Sequence, residues 1–180
     1  YAYFYSKHYK EIAVFNVGDN EFLPKIGFES LPGNAATMIY YEALDRIYIG
    51  FDNGDIYYVV PGQADLIFFT NIPNTIVALA EAGDYLLVVG AELGEVSSLT
   101  NNLFSFDSDG NQVDEVLGVI RVSTNFKWDE AFKLLYSGFS RTRLDVASGL
   151  FSAWSSPEHP WPLGLSPDGS KSIRDVDHLN

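Results

Sequence analysis

Cysteine is absent from the 180 residues, which excludes disulfides and thiolate metal sites. Cations are scarce: 11 Lys plus Arg stand against 24 Asp plus Glu, for a formal charge of −13. Nucleic acid and anionic membrane are poor partners for such a chain, because phosphates need clustered positive charge. No apolar run reaches the ~18 residues of a membrane-spanning helix. The three histidines (His8, His159, His178) are too few and too scattered for histidine-rich zinc chemistry. Neither a G-x-G-x-x-G string nor a Walker A string occurs, so no glycine-rich phosphate cradle is expected. The chain opens at Tyr1 without Met or a signal-like stretch, as a mature product or a portion of a larger protein would. Strand-forming residues are abundant instead. Hydrophobic residues make up 47% and aromatic residues 15%, enough at this length for one domain with a sizeable core.

Residues 45–60 read DRIYIGFDNGDIYYVV. Two runs, 47–51 and 56–60, alternate β-branched and aromatic residues and suit a pleated surface with at least one buried face. Asn53-Gly54 between them is a strong hairpin signal, since both residue types accept positive φ; a primed turn with Gly54 at positive φ is expected. A lone hairpin is marginal in water and must pack on something. The chain supplies copies. IGFDNGDIYYV (49–59) aligns with VGAELGEVSSL (89–99), placing Gly50 and Gly54 on Gly90 and Gly94, and Ile56 on Val96. YSGFSRTRLDV (136–146) repeats the frame, with Gly138 and Leu144 at the places of Gly50 and Ile56. A lead-in run precedes each hairpin (36–41, 75–80, 119–123, 162–165) and another run closes each unit (22–28, 65–70, 103–106, 150–154). Units recur about every 42 residues, the period of four-stranded β-propeller blades. The expected fold is all-β, a β-propeller or propeller arc of about four blades. Residues 1–180 form one domain, with partial blades at 1–32 and 160–180 and whole ones at 33–73, 74–117 and 118–159. Ile47, Ile49, Ile56, Val77, Leu79, Leu87, Val89, Val96, Ile120, Leu135 and Leu144 are the expected core between stacked sheets.

DRIYIGFDNGDI resembles the second-to-third-strand hairpin of a WD40-type propeller blade, and LSPDGS (165–170) resembles the turn between its first two strands. The resemblance spans most of the chain at the level of pattern. It implies a ring of blades whose connecting loops bind partners, and it transfers no functional residue.

Two registers are open in the third unit. With Gly90 and Gly94 as the guide, 96–99 is the third strand and the acidic piece DSDGNQVDEV (107–116) is an insertion. In the other register 92–102 is a long loop and Asp109-Gly110 is a hairpin turn. Residues 125–134 (NFKWDEAFKL) have the one helix-like composition and suit a single turn. Residues 1–6 and 162–165 have complementary deficits: the first lacks an inner strand and the second lacks outer ones. They are expected to share one blade, joined within this chain in a four-blade ring or each completed by another chain or segment in a larger one.

Several residues are candidates for chemistry, each beside a plainer reading. Asp107, Asp109, Asn111, Asp114 and Glu115 alternate oxygen ligands as calcium loops do, although Gln112 occupies the sharp-turn position of an EF-hand; the alternative is a solvated turn. Ca²⁺ is the one cofactor considered. Trp154, His159 and Trp161 in WSSPEHPW suit stacking of a sugar or gripping of a peptide, or else wedging between blades. Arg141 and Arg143 in the hairpin turn of the fourth unit, where the second unit carries Asp52 and Asp55, suit bidentate recognition of a carboxylate, or an ordinary charged turn. With 24 acids, a chance pair of glycosidase type is easy to find and needs a measured separation.

The expectation is a non-catalytic binding or scaffold module that recognises a protein or glycan through blade-connecting loops. Zero cysteine, low lysine and acidity favour an extracellular or cell-surface setting. An intracellular, cytoplasmic WD40-like interaction scaffold and a carbohydrate-active enzyme are the alternatives.

Overall fold

The computed structural model describes residues 1–6, 8–31, 33–92, 101–120, 126–129, 134–137, 140–145, 147–153, 162–165 and 172–174. The first sheet holds β1 (Ala2–Ser6), β2 (Glu11–Asn16) and β3 (Glu21–Gly27) in that order. The second holds β4 (Ala35–Tyr41), β5 (Arg46–Phe51), β6 (Asp55–Val59) and β7 (Ile67–Asn71). In the third, β8 (Asn74–Ala82), β9 (Tyr85–Glu92), β10 (Asn101–Phe106) and β11 (Gln112–Ile120) follow the same order. The fourth repeats it with β12 (Phe126–Asp129), β13 (Leu134–Ser137), β14 (Ser140–Asp145) and β15 (Leu150–Ala153). A fifth sheet has β16 (Pro162–Leu165) and β17 (Ser172–Arg174). Every ladder is antiparallel. This is the propeller-like arrangement of meandering four-stranded blades.

β1 pairs with β2 and β16 with β17, and no ladder among the described residues joins 1–6 to 162–165, so the expected sharing of one blade is not what the structure shows. The first four sheets stack face to face, and the period-two alternation of their strands shows how. On β5, Ile47, Ile49 and Phe51 pack toward the first sheet with Ile12, Val14, Ile26 and Phe28. Tyr48, between them, packs toward the third sheet with Ile76, Val88, Phe104 and Phe106. On β9, Leu86 and Val88 face the second sheet, while Leu87 and Val89 turn the other way, where Phe151 of β15 joins them. A strand buried on both faces needs apolar residues at consecutive positions, which is why RIYIGF and YLLVVGA are near-continuous apolar runs. Gly50 lies in such an interface; a Cβ there would stand 2.6 Å from Ile76 Cγ2.

Of the expected core, Ile47, Ile49, Ile56, Leu79, Leu87 and Val89 are buried. Val77 is only half-buried, because a bulge between Ile76 and Ala78 leaves it out of the pairing with β9. Val96, and the side chains of Ile120, Leu135 and Leu144, lie outside the described residues.

The third sheet takes the register in which Asp109-Gly110 is a turn. Phe106 pairs with Gln112 across it, Gly110 has φ +86°, and Leu103 pairs with Val89. The alternative, with 103–106 as an outer strand and 107–116 as an insertion, is overturned: Leu103, Phe104 and Phe106 are buried on both faces, as an inner strand requires. Residues 119–120 accordingly end β11 rather than open the next unit, and the first strand of the fourth sheet is β12. That strand lies inside the stretch with helix-like composition, where pairing of Trp128 with Leu135 outweighs helix propensity. The hairpin at 52–54 differs from expectation in one respect. Gly54 has φ +91°, but Asn53 is absent from the positive-φ residues, so the turn is a three-residue loop closed by Gly54 N–H on the Phe51 carbonyl (3.2 Å) rather than a primed two-residue turn.

Candidate functional site

The connecting segments gather at two ends of the stack. At one end are the loop 52–54 and the segments leading into β4 and β8. The Asp52 carboxylate accepts hydrogen bonds from the Asn34 backbone N–H (2.8 Å) and side-chain amide (2.9 Å). Asp55 accepts from the Asn53 amide (2.7 Å) and the Asn71 amide (2.9 Å). Gly54 accepts Ile72 N–H on its carbonyl (3.0 Å), which ties the loop to the segment entering β8. Lys10 Nζ donates to the Gly33 carbonyl (3.4 Å) at this end. Asp52 and Asp55, read from the sequence as recognition candidates, thus brace turns. Asp52→Ala leaves the Asn34 amides without their acceptor and is expected to cost about 1–3 kcal/mol, read as a lowered urea midpoint at unchanged m-value.

The other end collects acids and tyrosines. A 3₁₀ turn, Glu42–Leu44, joins β4 to β5 and is closed by Asp45 in the left-handed region (φ 47°). Tyr40 Oη donates to Asp45 Oδ1 (2.8 Å). From the neighbouring sheet, Glu81 Oε2 accepts the Glu42 N–H (3.2 Å), so one blade caps the turn of the previous one. Burial pushes the Glu81 carboxyl up, the backbone N–H groups of Glu42 and Ala43 pull it down, and the Glu42 charge adds to the rise. The Tyr41 hydroxyl donates to the Gly83 carbonyl and is raised by burial, then by Glu81 and Asp84. Tyr3 is pushed up to about 12, first by burial and then by Tyr1, Tyr40 and Asp45; its buried hydroxyl has no hydrogen-bond partner among the described residues.

Arg46 sits at this end too. Its guanidinium lies 4.4 Å over the Tyr58 ring and donates to the Ser108 carbonyl (3.1 Å), fastening loop 107–111 to the second sheet. Asp107 Oδ1 accepts the N–H groups of Asp109 (3.0 Å) and Asn111 (2.9 Å), and Oδ2 accepts the Asn111 amide (2.9 Å). Asp114 Oδ2 reaches across to the Phe151 N–H (2.7 Å) in the fourth sheet. Glu115 Oε2 accepts from Gln112 (3.1 Å). Of the residues of the calcium reading, the Asp107, Asp114 and Glu115 carboxylates thus accept hydrogen bonds from their own loop, the next blade and Gln112 respectively. Among the described residues no group of three or more His, Asp or Glu is placed to hold a metal ion.

These carboxylates give opposite pH signatures. Desolvation raises the Asp107 pKa, but its bonds from the Asn111 amide and from the N–H groups of Asn111, Asp109 and Gly110 outweigh that and leave it below the ordinary carboxylate value. A lowered folded-state pKa adds stability that is present above the ordinary carboxylate range and is lost as pH falls through the folded value. The thermal midpoint of Asp107→Ala should lie below the parent's at pH 7 and converge with it in acid. Glu81, raised in the folded state, works in the other direction: its contribution weakens as pH rises through the carboxylate range. Glu81→Gln should lie above the parent at pH 7, with a gap that shrinks in acid.

Arg141 and Arg143 fall within β14, opposite Tyr136 and Leu134, and not in a turn: the reversal comes earlier, between Ser137 and Ser140. Their side chains, and the residues Trp154, His159 and Trp161, lie outside the described residues. Sequence reasoning missed Tyr40, Asp45, Glu42, Glu81 and Asp84, which are far apart in the chain and show no motif. Strand polarity is the one signal available: residues flanking every first-to-second-strand turn must share an end of the stack.

No protein-family model matches the chain, and no curated protein matches it either. Among solved structures, a chain in a crystal structure of a mitotic checkpoint complex is similar over 94% of this chain and 68% of that one, at 12% identity and a TM-score of 0.45. A likeness that distant bears on neither ligand nor role. Among the described residues, no helix is long and apolar enough to cross a membrane.

Proposed function

We propose that the protein is a protein-binding scaffold whose acid-and-tyrosine end receives a basic segment of its partner. The observation that supports this reading is the local charge balance. Glu42, Asp45, Glu81, Asp84, Asp107 and Asp109 belong to the turns of that end, while the Arg46 cation is already engaged by Tyr58 and Ser108. Tyr40, 47% exposed, offers a ring beside Asp45 for an arginine or lysine to lie over. The turns are held by hydrogen bonds between blades, so the surface is presented rigidly and little ordering is needed on binding. Glu81 has the raised pKa that a catalytic acid would need, but its oxygen caps a turn, which favours binding over catalysis.

An arginine-rich synthetic peptide should bind the chain at low ionic strength and weaken steeply as salt is added. Glu42→Lys together with Asp45→Asn should reduce that affinity about tenfold and flatten the salt dependence. Binding that ignores both substitutions, or no binding at low salt, overturns the reading.

A further inference from the structure

The sequence holds one Asn-Gly step, Asn53-Gly54, and the fold places it in the loop between β5 and β6. In an open chain such a step is the least durable that asparagine makes, because glycine has no side chain to shield its backbone nitrogen. That nitrogen attacks the asparagine Cγ, the bond from Cγ to the side-chain nitrogen breaks, and ammonia leaves a five-membered succinimide. Water then opens the ring at either carbonyl, giving aspartate or isoaspartate, whose backbone is longer by one carbon. The balance is one water taken up and one ammonia released, with no oxidant or reductant.

The groups this step uses are engaged in the fold. The attacking nitrogen is tied up, since Gly54 N–H donates to the Phe51 carbonyl (3.2 Å). The amide under attack is held at both atoms by one residue: Asn53 Oδ1 accepts the Asp55 N–H (3.2 Å), and Asn53 Nδ2 donates to Asp55 Oδ2 (2.7 Å). Asp55 is fixed in turn by the Asn71 amide on its Oδ1 (2.9 Å). Gly54 is pinned by the Ile72 N–H on its carbonyl (3.0 Å). Gly33 closes over the amide from the segment entering β4, where a Cβ would stand 2.8 Å from Asn53 Oδ1. Ring closure requires Gly54 to release Phe51 and the Asn53 side chain to release Asp55.

We infer that Asn53 is a deamidation site that the fold holds closed, with Asp55 as its latch, and that opening of the loop is recorded there irreversibly. The product cannot return to the closed state. An amide that donated to the Asp55 carboxylate is replaced by a second carboxylate facing it, and like charges in contact separate or take up a proton. Isoaspartate also displaces Gly54 from Ile72, which loosens the approach of the third sheet to the second. The site lies at the end away from the acids and tyrosines, so it stands or falls independently of the binding reading.

The test follows the peptide that carries residue 53 by mass spectrometry while the whole 180-residue chain stands in mildly alkaline buffer, native or in concentrated guanidinium chloride. Native release of ammonia should be about tenfold slower or more, because the chemistry proceeds from the open loop alone. Asp55→Ala, shown folded by circular dichroism, should raise the native rate about threefold or more. A second pair of variants needs no deamidation at all. Asn53→Asp should lower the urea midpoint, and adding Asp55→Asn should recover most of the loss, since amide and carboxylate have then changed places. Equal rates in native and denaturing buffer overturn the proposal, because the fold then closes nothing. A native rate unmoved by Asp55→Ala in a folded protein removes Asp55 as the latch. Asn53→Asp as stable as the parent, or not rescued by Asp55→Asn, means the product fits the closed loop.

Discussion

Gly54→Val should destabilise the protein by about 3 kcal/mol or more, whereas Gly62→Val should cost about 1–2 kcal/mol. Both glycines hold positive φ, +91° and +83°, so each valine suffers the left-handed penalty. Their surroundings differ. A Cβ on Gly54 would stand 2.1 Å from the Ile72 carbonyl oxygen, which is backbone and cannot swing aside, whereas nothing lies within 4 Å of one on Gly62. The clash at Gly54 also threatens the bond from Ile72 N–H to the Gly54 carbonyl, and with it the approach of the third sheet to the second. Urea unfolding of the two variants separates backbone strain from that contact. Equal costs would mean the loop and the segment entering β8 move apart freely.

Phe51→Ala should cost about 3–5 kcal/mol, the largest loss expected from a single truncation here. Phe51 is 1% exposed, and its ring meets Phe28 at 5.6 Å and Tyr57 at 5.5 Å, both edge to face. Removing it opens a cavity between two sheets whose backbones are tied by their own ladders and cannot close on it. Phe22→Ala is the control. At 70% exposure, with Phe15 as its ring neighbour at 5.0 Å, its loss should be about 1 kcal/mol or less. Calorimetric or urea midpoints for the pair test whether the interface between the first two sheets is packed as described.

The strands of the second sheet were legible because local chemistry and burial agree there: RIYIGF and DIYYV alternate around a glycine loop, and both runs form strands. The third sheet was harder. Matching Gly90 and Gly94 to Gly50 and Gly54 favours a hairpin at 90–94, whereas turn chemistry favours Asp109-Gly110. The turn prevails because Asp107 and Gly110 together close it, one through its carboxylate and the other through its φ. Helix-like composition at 125–134 is overridden across 126–129 for a different reason. A four-residue strand needs only its neighbour's ladder, and β13 supplies it. The candidate site was hardly legible. Tyr40, Asp45 and Glu81 look ordinary as sequence, and three acids that attract attention there, Asp107, Asp114 and Glu115, bond with amides of their own segment and the next blade.

Composition, period and alternation determine by themselves that this chain is all-β, acidic and built of repeated antiparallel units, because those properties follow from which residues suit a pleated strand and which suit a turn. Which register the third unit adopts, which face of each strand meets which neighbour, and which residues share an end were decided by the tertiary structure alone. The reason is physical. A strand's pattern specifies that it has a buried face, but a sheet covered on both sides has two, and only the neighbouring sheets distinguish Ile49 from Tyr48. In the same way β1 is an ordinary apolar strand in sequence; that its ladder runs to β2 and on to β3 follows only from the strand order.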